Sequence, residues 1–283
     1  MIRSVFIWCA ALLVLGGPAA VAAQSPAAAS TASATATAQD DDPDRDPNHA
    51  QPDFYVASLP TNLRLPKGKM AFRLTHRFLR PLGDGDFGDL ASRAFGFDSG
   101  ALIGFELKYG LFRGGQIGIY RTSDRTIQFS GQYDALSQRR APIGVGIVVN
   151  VDGTDNFSDE FSPGAALVLS REFGDRGALY VEPAVVANSS LGLGDEDHTV
   201  LAGLGARLRA SRNTFVFVEA SPRLAGFAPG VTLISFGVER RAGGHLFQIN
   251  FSNGFGTTLA QVARGGTSYD DWYIGFNLSR KFF

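Results

Sequence analysis

From Lys69 onward, apolar and polar residues alternate with period two, and the connections between the alternating runs switch regularly between tight and long. Period two is the side-chain repeat of extended backbone, so the runs read as strands. Twelve are expected, at about 69–78, 99–109, 115–121, 126–135, 142–151, 163–173, 178–188, 199–208, 214–222, 231–240, 245–252 and 270–283. Even-numbered strands end in tight turns: Gly110–Gly114, Leu136–Ala141, Gly174–Gly177, Arg209–Asn213 and Arg241–Gly244. Odd-numbered strands end in longer polar loops, Leu79–Asp98, Asp152–Ser162, Ser189–His198, Arg223–Gly230 and Asn253–Tyr269, with Thr122–Arg125 the exception. Most runs are near the roughly 9 to 11 residues of a tilted membrane strand. The fold class this predicts is all-β: a transmembrane antiparallel up-and-down barrel of about 12 strands over residues 61–283, with both ends of the chain on the tight-turn side.

The two faces of each strand support this reading. Met70, Phe72 and Leu74 oppose Arg73, Thr75 and Arg77; Ile103, Phe105 and Leu107 oppose Gly104, Glu106 and Lys108. Later strands repeat the pattern, which collects one set of charges on one face: Arg73, Arg77, Glu106, Lys108, Glu172, Glu182, Arg207, Glu219 and Glu239. These nine are the candidate lumen-lining residues. The set carries both signs, and unpaired charges in a narrow lumen are costly, so cross-pairing is expected. The closing stretch, DDWYIGFNLSRKFF, puts Trp272, Ile274, Phe276 and Leu278 on one side and Tyr273, Gly275, Asn277 and Ser279 on the other. It is expected to pair with residues near Lys69 to Phe78 and to be read by the barrel-assembly machinery. Its apolar series runs through Phe276, Leu278 and Phe282, with Ser279 and Lys281 in the alternate register.

Residues 1–23 read as a cleaved secretory signal: Arg3, an apolar run from Val5 to Leu15, then small residues up to Ala23. The single cysteine, Cys9, falls within it, so disulfides, thiolate metal sites and cysteine nucleophiles are not expected after cleavage. Residues 24–60 begin rich in Ala, Ser and Thr and turn acidic through Asp40, Asp41, Asp42, Asp44 and Asp46; they are expected to form a disordered periplasmic tether. The net charge of −1 and the lack of a clustered basic face argue against nucleic-acid binding.

Three stretches carry a resemblance: HRF at His76–Phe78, FGFDSGALIGFELKYGLFRGGQIGIYRT at Phe95–Thr122, and SGQYDAL at Ser130–Leu136. The chain resembles, over most of residues 60–283, a family of bacterial β-barrel proteins known only as a domain of unknown function. The resemblance implies fold and location, the outer membrane of a Gram-negative bacterium, and supplies no site residues.

The first functional expectation is a passive channel or small-molecule transport protein whose lumen is lined by the nine charges. The first and last long loops are long enough to fold inward and constrict it. The alternative is a structural or adhesin-like barrel whose lumen is plugged, and the third is an outer-membrane enzyme. For catalysis, the four histidines are His49 in the tether, His76 on the first strand, His198 beside a loop and His245 at a turn; no serine sits at a position matching His76 on a neighbouring segment, and an enzyme is not expected. Asp195, Glu196, Asp197 and His198 lack calcium-loop spacing, and Asp84, Asp86 and Asp89 read as a hydrophilic turn. No metal or cofactor is expected, and the expected partners are outer-membrane lipid, lipopolysaccharide and the assembly machinery.

Overall fold

The computed structural model describes residues 50–92, 100–138, 140–191 and 198–282. The expected signal segment, the tether up to residue 49, the acidic positions 195–197 and Phe283 lie outside the described residues.

Thirteen strands form among the described residues: β1 (Met70–Phe78), β2 (Ala101–Phe112), β3 (Gly115–Thr122), β4 (Ile127–Leu136), β5 (Gly144–Gly153), β6 (Phe161–Glu172), β7 (Gly177–Ala187), β8 (His198–Ser211), β9 (Thr214–Ser221), β10 (Arg223–Ala225), β11 (Leu233–Ala242), β12 (His245–Ser252) and β13 (Tyr273–Phe282). All but β10 make up the wall, each pairing antiparallel with its neighbours. The ring closes where β13 meets β1, with Phe282 opposite Met70, Leu278 opposite Leu74 and Gly275 opposite Arg77. This is the pairing expected of the closing strand. The barrel thus has twelve strands, as the alternation predicts, and β10 is a three-residue addition that pairs only with β8, at Arg223 opposite Leu201. Closure leaves the twelve wall strands no open edge for another chain to pair with among the described residues.

The longer loops sit at one end, together with the short Ser123–Thr126 connection, and the other tight turns at the opposite end. The β11–β12 turn is tight because Gly243 and Gly244 both adopt positive φ, 54° and 81°, as a two-residue hairpin whose twist matches its strands requires.

Burial along the wall runs opposite to that of a water-soluble fold. Arg207 and Glu239 are each 0% exposed, whereas Leu204 is 46% and Ile249 56% exposed. An outward apolar belt of this extent would be unstable against water and is stable against hydrocarbon. No helix among the described residues is long and apolar enough to cross a membrane.

One departure from expectation concerns the interior. Of the expected tether, Ala50–Pro60 lie within the described residues, and they are buried. The folded region therefore begins by Ala50, before the expected start at 61. The acidic composition that argues for disorder ends at Asp46. The residues after it carry Phe54, Tyr55, Val56 and Leu59, enough apolar surface to repay ordering.

Candidate functional site: a filled lumen

The segment entering the barrel folds as a small hairpin. Thr61 N–H donates to the Phe54 carbonyl at 2.8 Å and Val56 N–H to the Leu59 carbonyl at 2.8 Å, with Tyr55 and Pro60 bridged across it. The hairpin enters from the tight-turn end. There Gln51 donates to Glu172 at 2.6 Å and Lys281 Nζ to the Pro52 carbonyl at 2.8 Å. It leaves at the same end, where Gly68 N–H donates to the Gly110 carbonyl at 2.7 Å before β1 begins. Gly110 is required at this close approach, because a Cβ there would lie 2.2 Å from the Pro66 carbonyl oxygen.

The hairpin tip sits on Glu219. Its carboxylate accepts from the backbone N–H groups of Ala57 at 2.9 Å, Ser58 at 3.0 Å and Leu59 at 3.1 Å. Hydrogen bonds to an ionised acceptor contribute about 1.5–3 kcal/mol each. Arg73 holds the opposite polarity, donating to the Ala57 carbonyl and lying 4.0 Å from the centre of the Tyr55 ring. Gln248 donates to the Val56 carbonyl at 2.6 Å, and Gln132 to the Thr61 carbonyl at 2.7 Å. The apolar groups of the tip, Val56 and Leu59, pack with Tyr180, Leu201, Phe217 and Val262.

The other seven candidate residues are also buried or half-buried on the inward face. Glu106 accepts from the Tyr55 hydroxyl at 2.6 Å and pairs with Lys108 at 3.2 Å. Arg207 pairs with Glu239 at 2.5 Å and donates to the Tyr55 carbonyl at 2.8 Å. Glu172 accepts from Gln51, as above. Arg77 donates to Asn277 at 2.8 Å, within the wall. Neither carboxylate oxygen of Glu182 has a hydrogen-bond partner among the described residues, and this residue stands opposite Gly203, next to Leu59. Cross-pairing thus holds for Lys108 with Glu106 and for Arg207 with Glu239. Arg73 and Glu219 instead take the hairpin backbone as their counterpart.

The last long loop closes the same space from the other end. Its short helix, Leu259–Ala263, is capped by Thr258 and Gln261 in a capping box, and four of its five residues are buried. Thr258 also donates to Asp152, and Tyr120 links the Thr75 hydroxyl, at 2.5 Å, to that of Thr257, at 2.9 Å. The hairpin and loop meet where Ser58 Oγ donates to the Gly256 carbonyl at 2.7 Å. Between them, Tyr55, Lys108, Gln128, Asn150 and Thr257 border a cavity of about 30 Å³. At roughly 10–15 Å³ for each, that is room for only a few water molecules.

Two groups of lumen residues escape a search for charges. One is the hairpin itself. The other is the row of inward amides, Gln116, Gln128, Gln132, Asn150, Gln248 and Asn277, whose signal was present as polar side chains at alternate positions. His76, the candidate histidine, lies on the outward face, its ring stacked 4.8 Å from that of Phe276 and tilted against that of Phe78 at 4.3 Å.

A mutant of the Rhodopseudomonas blastica porin is 13% identical to this chain, with a TM-score of 0.34, the match covering 68% of this chain and 58% of the porin. An outer membrane channel from Pseudomonas putida F1 is 12% identical with a TM-score of 0.46, covering 77% of this chain and 97% of that one. No curated protein matches the chain. The model of a family described as a membrane bound beta barrel domain (DUF5777) matches residues 53–282. This span takes in the lumen hairpin and the whole wall, and the chain belongs to that family of membrane bound β-barrels.

Proposed function

We propose that the chain is an outer-membrane barrel of a Gram-negative bacterium that passes small polar solutes, and that its resting state is closed by its own N-terminal hairpin. The observation that carries this reading is the seating of Val56–Leu59 on Glu219 and Arg73, charged groups of the wall that use the hairpin backbone as their counterpart. If the hairpin withdraws, the wall presents Arg73, Lys108, Glu106 and Glu219 together with the inward amides, a surface that water wets. Transport on this reading requires withdrawal, because Val56–Leu59 sit within the lumen on Glu219 and Arg73. The leader-like residues 1–23 and the asymmetry of tight turns and long loops support the outer membrane, with the tight turns toward the periplasm.

The alternative is a permanently plugged structural barrel, favoured by the apolar packing of Val56 and Leu59. Planar-bilayer recording separates the two. The full chain is expected to be silent or to open briefly, and a chain lacking residues 50–65 to conduct steadily. If the shortened chain shows heat-modifiable gel mobility and still does not conduct, the transport reading fails.

A further inference from the structure

Exposed charge is distributed unequally between the two ends of the barrel. At the long-loop end Asp84, Asp86, Asp155 and Asp159 are exposed, whereas at the tight-turn end Asp175 is the one exposed acid among the described residues, and Arg209 pairs with it at 3.8 Å. The cations at the tight-turn end divide by direction. Those on the lumen side are engaged: Lys281 on the Pro52 carbonyl and Arg64 with Asp134 at 3.9 Å. Others continue the outward register of the apolar belt. Phe236, Val238 and Arg240 follow one another on the outer face of β11, and Phe276, Leu278 and Arg280 on that of β13.

Arg240 and Arg280 flank one strand, β12. Arg240 stands opposite Phe247, and Arg280 opposite His245, both of them outward-facing. Adjacent strands lie about 4.8 Å apart and Phe247 lies two residues, about 7 Å, along β12 from His245, so the two arginine backbones are about 12 Å apart, within the joint reach of two extended side chains. Both are exposed and neither has a carboxylate within ion-pair distance among the described residues. The Arg280 guanidinium lies 5.2 Å from the centre of the Phe282 ring, which keeps it at the margin of the belt. On the same face Phe247, level with Arg240, is 51% exposed, and Ile249, beyond the pair toward the middle of the belt, is 56% exposed.

We propose that Arg240, His245 and Arg280 form a binding site for the phosphate of an anionic phospholipid in the leaflet at the tight-turn end, with an acyl chain lying over Phe247 and Ile249. Guanidinium groups suit phosphate because their forked donors match its oxygens. The outward direction of the side chains favours a lipid over any acidic segment issuing from the lumen, and the adjoining apolar face supplies the surface that an acyl chain needs.

The test reconstitutes the full chain in phosphatidylcholine bilayers and measures, by electron spin resonance, the motionally restricted fraction of spin-labelled phosphatidylglycerol against that of spin-labelled phosphatidylcholine. Wild-type protein is expected to prefer phosphatidylglycerol. Arg240→Gln/Arg280→Gln should reduce the preference by about fivefold for each arginine at this site, the equivalent of about 1 kcal/mol per cation near the surface. Arg240→Lys/Arg280→Lys, which keeps the charges, should retain part of it. Equal restriction of the two lipids by wild-type protein, or an unchanged preference in the folded glutamine variant, would overturn the proposal.

Discussion

The Glu219 carboxylate of the barrel wall accepts a hydrogen bond from the backbone N–H of Ala57 at 2.9 Å, across 162 positions of sequence. With the N–H groups of Ser58 and Leu59 on the same carboxylate, this contact fixes the hairpin tip. Replacing Glu219 by Gln keeps the shape and removes the charge. We expect Glu219→Gln to raise the population of withdrawn hairpin roughly ten- to hundredfold, corresponding to the loss of about 1.5–3 kcal/mol of charge-assisted hydrogen bonding. Single-channel recording checks this as a higher opening frequency at unchanged open-state conductance.

Arg207 and Glu239 form a fully buried ion pair. Removing one partner leaves an uncompensated charge in a dry site, so Arg207→Ala is expected to destabilise the barrel by about 3–5 kcal/mol. Replacing both, as Arg207→Met/Glu239→Leu, should recover most of that loss. Urea unfolding in lipid vesicles, followed by tryptophan fluorescence, measures both.

Gly104 leaves room for Tyr120, since a Cβ at Gly104 would lie 1.9 Å from the Tyr120 hydroxyl oxygen. That hydroxyl joins β1 to the inward loop through Thr75 and Thr257. Gly104→Ala is therefore expected to free the loop without altering a charge. Proteolysis between Asn253 and Tyr269 should become faster, while the free energy of global unfolding falls by no more than the loss of one or two buried hydrogen bonds, roughly 1–3 kcal/mol.

The wall was legible in the sequence because each of its elements obeys the same local rule. Met70 to Phe78 and Tyr273 to Phe282 each show period two, and their pairing across the closing seam follows from the even strand count. The inward charges were legible for the same reason, since Glu219 and Arg73 hold fixed places in that alternation. Their true counterpart was not legible. Tyr55, Val56 and Leu59 have no strand periodicity, and they follow an Asp-rich run whose composition argues for disorder. What orders them is a contact with Glu219 some 160 positions away, which local sequence does not encode. Length marked both Leu79–Asp98 and Asn253–Tyr269 as able to fold inward and did not separate them: residues 83–89 of the first are exposed, whereas the last turns inward, where its capping box at Thr258 and Gln261 holds one shape.

The seating of the hairpin inside the barrel is open to direct measurement. Ser58 is 5% exposed at the hairpin tip, whereas Ser211, at the end of β8, lies on the surface. With Cys9 replaced by Ser, a cysteine is introduced by Ser58→Cys or, as the reference, by Ser211→Cys, and the rate of labelling by a membrane-impermeant maleimide is measured on folded protein in vesicles. A hairpin that fills the lumen requires Ser58→Cys to label at least about tenfold more slowly than Ser211→Cys, with the difference abolished on unfolding. Equal labelling rates in the folded protein would contradict it.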